Sequence, residues 1–266
     1  PSYAARWEAA GLDRPAVRVL EAGARQLSVG AVELRAVSLV AHRDCALKSL
    51  AEAGDAGVVC ESRYTVLGSG EILCDVRAVA GRAAPPLARV GLYMAAAQQL
   101  RAATWYGRGP HECYPDRKSG AMEEVYHNTV EGMHVPYIVP QECGGRSDVR
   151  WALLADPPKD AGMQLGLLAS PAKGTAPLQL NVSPFSKEAL HAAGYQHELK
   201  GEDDRRVHIH LDCAHMGVGG DTSWTPTVLP PYVVPAGRYD FSVRLQIVAL
   251  PHDVASARRE GRAASA

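Results

Sequence analysis

The segment His215–Pro226 reads His-Met-Gly-Val-Gly-Gly-Asp-Thr-Ser-Trp-Thr-Pro, residue types suited to holding an aromatic ring on a polar loop. Gly217, Gly219 and Gly220 let the backbone turn where a Cβ would clash. Asp221, Thr222 and Ser223 can hydrogen-bond their own backbone and hold that turn in shape. Trp224 follows, and Pro226 stiffens the exit. A flat indole presented in this way suits stacking on the apolar face of a sugar ring, with its N–H available to donate. The same residues also fit a Trp224 that plugs the core beneath a tight turn, and the local sequence does not choose between the two.

Other clusters are weaker. His208 and His210 stand two apart with His215 close behind, a spacing able to ligate a metal, yet no carboxylate or Cys is spaced to complete a site. The reading carried forward is an exposed strand face bearing both imidazoles, with Val207, Ile209 and Leu211 buried. Gly217-x-Gly219-Gly220 lacks the Lys-Ser/Thr and the following helix of a phosphate loop. Glu112, Glu123, Glu124, Glu131 and Glu142 gather in an irregular middle region. Glycosidase chemistry needs two carboxyls about 5–5.5 Å apart for retention or about 6.5–9.5 Å for inversion. Solvated segments collect acids anyway, so no pair is singled out. No Gly-x-Ser-x-Gly elbow or Cys-x-x-Cys pair supports serine or thiol chemistry.

The elements that must position these residues read as strands. Ser2 can cap a short helix over Tyr3–Ala10, with Gly11 as its stop and Tyr3, Trp7 and Ala10 on one face. Beyond it the period becomes two. Val207, Ile209, Leu211 and Cys213 alternate with Arg206, His208, His210 and Asp212; Phe241, Val243, Leu245, Ile247 and Ala249 alternate with mostly polar neighbours. Similar runs lie near Gln26–Val40, Val58–Leu67, Glu71–Ala80 and Leu87–Met94, punctuated by turns such as Gly68-Ser69-Gly70. This is the pattern of antiparallel sheets with one buried face, a large sandwich. From Gly107 to Gly145 no strand pattern lasts. A second short helix is expected over Lys187–Ala193, capped by Ser186 and closed by Gly194. Residues 1–250 read as one all-β domain, and 251–266 as a disordered tail.

With 266 residues, 47% hydrophobic, 21% charged and a formal net charge of −1, the chain can bury a substantial core and has no basic excess for nucleic acid. No apolar stretch is long enough for a membrane helix. Cys45, Cys60, Cys74, Cys113, Cys143 and Cys213 are widely spaced and read as reduced, which favours a reducing, cytoplasmic location. The chain opens on Pro1 and is expected to be a piece of a longer polypeptide.

Trp105–Gly120, read as Trp-Tyr-Gly-Arg-Gly-Pro-His-Glu-Cys-Tyr-Pro-Asp-Arg-Lys-Ser-Gly, resembles the Trp-x-Gly-x-Gly-Pro-x-Glu-x-Tyr-x-Asp-Arg segment of the large bacterial-type β-galactosidases. Val135-Pro-Tyr-Ile-Val-Pro-Gln-Glu-Cys-Gly-Gly-Arg146 is similar to that family's Tyr-Val-x-Pro-x-Glu-x-Gly-x-Arg. Leu180-Asn-Val-Ser-Pro-Phe-Ser186 resembles its Phe-x-x-Ser-x-Tyr-Ser, and the Trp224 loop its Gly-Gly-Asp-x-Ser-Trp-x-Pro. The motifs keep the family's order, and the likeness extends to about Leu250. Two departures stand out: Cys113 and Cys143 take places where Asn is expected, and Lys118–Val135 matches poorly.

The resemblance implies the C-terminal β-supersandwich domain of such an enzyme, with a galactose mutarotase-like fold. It places the two catalytic glutamates, and the ligands of magnesium with sodium as a second candidate ion, in a TIM-barrel domain upstream. No catalytic residue, metal site or cofactor is then expected in this chain, which by itself should not hydrolyse galactosides. The role that carries over is the sugar platform, to Trp224. Arg108, Glu112, Asp116 and Arg117 read as a charge network that holds the long loop. The implied partners are the upstream barrel, a β-galactoside such as lactose, and further copies of a homo-oligomeric parent, without nucleic acid or membrane. Two rival readings are a self-sufficient aldose mutarotase, for which no His-Pro-Tyr-Phe segment is present, and a stand-alone sugar-binding or assembly module.

Overall fold

In a computed structural model the described residues are 2–42, 57–156, 164–199, 206–220, 224 and 227–250. The expected tail at 251–266 and Cys45 lie outside them. Among the described residues antiparallel strands dominate, with three short α-helices: α1 (Tyr3–Ala9), α2 (Val130–Met133) and α3 (Lys187–Ala192). The expected caps are in place. Ser2 Oγ accepts from Ala5 N at 3.2 Å, Gly11 ends α1 at φ +69°, and Ser186 Oγ accepts from Ala189 N at 3.1 Å.

The chain divides into two compact units. The first comprises residues 1–90, 172–175 and 213–244. Here β1 (Pro15–Ser28), β2 (Ala31–His42), β3 (Val58–Leu67) and β4 (Glu71–Ala80) form an antiparallel meander, with β13 (Arg238–Leu250) beside β4. Leu39 and Ala41 are buried against Ala16, Leu20 and Val59. The single run expected over Gln26–Val40 is therefore a hairpin, turning at Val29-Gly30. Its first strand was hidden because β1 lies at a sheet edge and is exposed along most of its length, so no apolar alternation marks it.

The second unit comprises residues 91–171, 176–212 and 245–266. Its strands are β6 (Ala102–Gly109), β7 (Met122–Thr129), β9 (Trp151–Ala155) and β10 (Gln164–Pro171) beside the end of β13, in the order β13-β10-β9-β6-β7. A four-stranded sheet runs β5 (Arg89–Ala97), β12 (Arg206–His215), β11 (Leu178–Ser183), β8 (Arg146–Val149). Three expectations change here. The region after Gly107 contains a regular eight-residue strand, β7, which is an exposed edge and shows no burial period. Strand β12 has no solvated face: Val207 through Asp212 are all buried, because it is an inner strand covered on both sides. In β13 the alternation fails beyond Leu245, where Ile247 is exposed and Leu250 buried, at the point where the strand passes from one unit to the other.

Candidate functional site

The Trp224 loop leaves β12 through a fixed exit. Met216 N donates to Ala88 O and Gly217 N to Tyr232 O, both at 2.9 Å. Arg89 Nη2 lies 2.9 Å from His215 Nε2. An arginine can only donate, so Nε2 accepts and the imidazole proton sits on Nδ1, which donates to Met216 O at 2.6 Å. Gly219 and Gly220 then adopt φ of +72° and +92°, which an L side chain would strain. On Gly219 a Cβ would also stand 3.1 Å from Thr227 O. Trp224 is 92% exposed.

In the other unit the sequence-predicted charge network resolves into separate clusters. Glu112 is buried and accepts from the Arg117 guanidinium, the Tyr137 hydroxyl and, at 2.7 Å, Gly144 N. Gly144 itself has φ +73° and sits so close that a Cβ would stand 2.5 Å from Met133 O. Arg108 belongs elsewhere, with Asp148: its Nε and Lys118 Nζ each donate to that carboxylate at 2.6 Å. The expected grouping of Arg108 with Glu112 and Arg117 is corrected accordingly. Glu142 accepts from Tyr114 Oη at 3.1 Å and from Lys187 Nζ at 2.9 Å.

These partners decide what the glutamates can do. Burial alone would raise the Glu112 carboxyl, but Tyr137, Gly144 N–H and Arg117 outweigh it and hold it below the usual carboxylate range. A glycosidic general acid needs the opposite, a raised pKa. Glu123 is paired with Arg108 and Arg150, and Glu131 with Arg101. Glu124 is exposed on β7. Glu112, Glu123, Glu131 and Glu142 are thus each held by cationic or hydroxyl partners.

His208 is 2% exposed, with Nδ1 2.8 Å from Tyr93 Oη and the two rings stacked 6.1 Å apart; the His210 ring lies 4.9 Å from Tyr93. The imidazoles thus project into a covered polar layer, where His208 and His210 face Ser183 and Asn181 of β11. The solvated face expected for them is corrected. Among the described residues no group of three His, Cys, Asp or Glu side chains converges as an ion site.

Tyr137, Gly144, Asp148, Lys118 and Lys187 escaped the sequence reading as site-forming residues. Tyr137 and Gly144 lie within the Val135–Arg146 run and Lys118 within the Trp105–Gly120 run, but nothing local links these loop residues, Asp148 of β8 or Lys187 of α3 to their partners.

Residues 1–245 match the family described as "Beta galactosidase small chain". The chain is 31% identical over 248 residues to a beta-galactosidase of Vibrio cholerae, covering 93% of this chain and 22% of that protein. A beta-galactosidase of Priestia megaterium is 35% identical over 179 residues, covering 67% and 16%. The chain therefore spans about a fifth of the length of the curated relatives it matches. Among solved structures, galactose 1-epimerase from Lactobacillus acidophilus overlaps 86% of this chain and 66% of its own, at a TM-score of 0.40 and 8% identity. No helix among the described residues is long and apolar enough to cross a membrane.

Proposed function

The chain belongs to the beta-galactosidase small-chain family, and from that premise we propose that it is the C-terminal, sugar-contacting domain of a β-galactosidase. The parent cleaves terminal β-galactosides such as lactose with retention, through a glycosyl-enzyme intermediate. Its two catalytic glutamates reside in an upstream TIM barrel. The parent's magnesium is assigned to that barrel as well, and no step runs through an ion in this chain.

This chain's contribution is binding. The observation that supports it best is Trp224, an indole left open to solvent on the loop that carries the family's Gly-Gly-Asp-x-Ser-Trp sequence. An exposed indole costs solvation unless something covers it, and the apolar face of a galactose ring is of the right size and chemistry. The parent works in the cytoplasm as a homo-oligomer; six widely spaced cysteines without a Cys-x-x-Cys pair fit a reducing compartment.

The test is Trp224→Ala in the full-length enzyme. A lost platform raises KM by about tenfold with kcat within a few-fold, since uniform binding is what disappears. An unchanged KM overturns the platform. The chain alone gives only background hydrolysis of a chromogenic galactoside. Turnover that survives repurification and vanishes on mutating one of the glutamates from Glu112 to Glu142 overturns the domain assignment.

A further inference from the structure

We propose that β1 is a self-pairing edge, through which two copies of this chain join their sheets about a two-fold axis at Gly23. Among the described residues β1 has β2 as its one hydrogen-bonding neighbour and stands at the end of the strand order. Its fourteen residues include no Lys and Pro only at the first position, and two of its three charged residues, Glu21 and Arg25, are of opposite sign and can pair across such an edge. Register shifts lie between Val19 and Glu21 and between Gln26 and Ser28; the stretch between them is a regular ladder.

That stretch is complementary to itself. In an antiparallel pair centred on Gly23, Glu21 of one copy faces Arg25 of the other, twice by symmetry, and Ala22 faces Ala24. Beyond the register shifts the exposed Val17, Val19 and Leu27 of β1 flank this stretch on its two sides. The charges also fit the existing network. Glu21 holds Arg35 at 2.5 Å and Arg25 holds Glu33 at 3.0 Å, while their own side chains remain 65% and 70% exposed. Glu21 and Arg25 share one sheet face with Arg35 and Glu33, so joining two copies continues an alternating row, Arg35–Glu21–Arg25–Glu33, across the new seam. One-residue slips break this: facing Arg25 with Ala22 strands both charges.

Sedimentation velocity on the 266-residue chain at high micromolar concentration is expected to show a reversible dimer. Glu21→Arg and Arg25→Glu each turn two attractions into two repulsions and weaken the dimer about tenfold or more. An equimolar mixture of the two variants restores it, because every facing pair is again of opposite sign, and so does the double variant E21R/R25E. Circular dichroism checks that each variant is folded. Should a reversal unfold the chain, Gly23→Cys reads the same seam: no atom lies within 4 Å of a Cβ at Gly23, and facing residues come within disulfide reach, so mild oxidation gives a covalent dimer. Gly30→Cys, equally open but off the axis, gives none. A chain that sediments as a monomer throughout, a dimer indifferent to both reversals, or Gly23→Cys that cross-links no faster than Gly30→Cys overturns the proposal.

Discussion

Arg146 places its guanidinium 5.0 Å over the ring of Trp105, and both side chains are almost wholly buried. Its Nη1 donates to Gly144 O and Gly145 O, each at 3.0 Å, while Nε has no hydrogen-bond partner. Burial works against the charge and lowers the Arg146 pKa. A buried cation held by carbonyls and an aromatic face thus ties the Glu142–Arg146 segment to β6.

Arg146→Lys is expected to destabilise the chain by about 2 kcal/mol in urea denaturation, because an ammonium has neither the flat face for Trp105 nor the same reach to two carbonyls. Arg146→Ala costs more, about 4 kcal/mol, by adding a cavity. A lysine variant within about 0.5 kcal/mol of the parent refutes the stacking role.

Glu112 gives the chain an acid-sensitive clasp. Its folded-state pKa lies below the ordinary value of 4.5, so its stabilisation is complete above that value and is lost as pH falls through the folded one. Glu112→Gln is expected to cost about 2 kcal/mol at neutral pH, since the ion pair with Arg117 is lost and one of the two oxygens that accept from Arg117, Tyr137 and Gly144 becomes an NH2 that cannot accept. Below the ordinary carboxylate pKa the gap between variant and parent closes as the parent's carboxylate takes up a proton. Paired urea titrations across that range measure it, and a gap that stays constant contradicts the clasp.

How much of this was legible depends on which residues face what. The caps at Ser2 and Ser186 could be read because they depend on neighbours within one turn. The all-β antiparallel fold could be read from strands such as β3 and β4, which alternate between turns. Strands β1 and β7 could not be bounded, since an exposed edge carries no burial signal. The polar face of β12 misled: His208 and His210 look solvent-facing in sequence, yet Tyr93, over a hundred residues away, covers them. The partnership of Asp148 with Arg108 and Lys118 was equally hidden, for it joins β8 of one sheet to β6 of the other and to a loop residue.

Cys74 is expected to be inert in the folded chain. Burial, with help from the neighbouring Asp75 charge, pushes its thiol up to about 11, so almost no thiolate exists at neutral pH. Cys113 and Cys143 are likewise buried. Brief iodoacetamide treatment followed by peptide mass spectrometry should leave all three unmodified until denaturant is added. Rapid native labelling of Cys74 contradicts its placement.

Trp224 supplies the last prediction, which concerns the isolated chain. Trp105 and Trp151 are buried and Trp7 is half-buried with its Nε1 donating to Pro86 O at 2.6 Å, so Trp224 is the indole most open to a collisional quencher. Iodide should therefore quench a fraction of the native fluorescence that Trp224→Ala removes. The same substitution should change stability by less than about 0.5 kcal/mol, because truncating an exposed side chain leaves no cavity. A buried tryptophan would cost about 3–5 kcal/mol. The two readouts must agree: lost quenching with unchanged urea midpoint identifies a solvent-facing platform. A loss of several kcal/mol identifies a core residue instead, and with it the assignment of Trp224 to sugar binding falls.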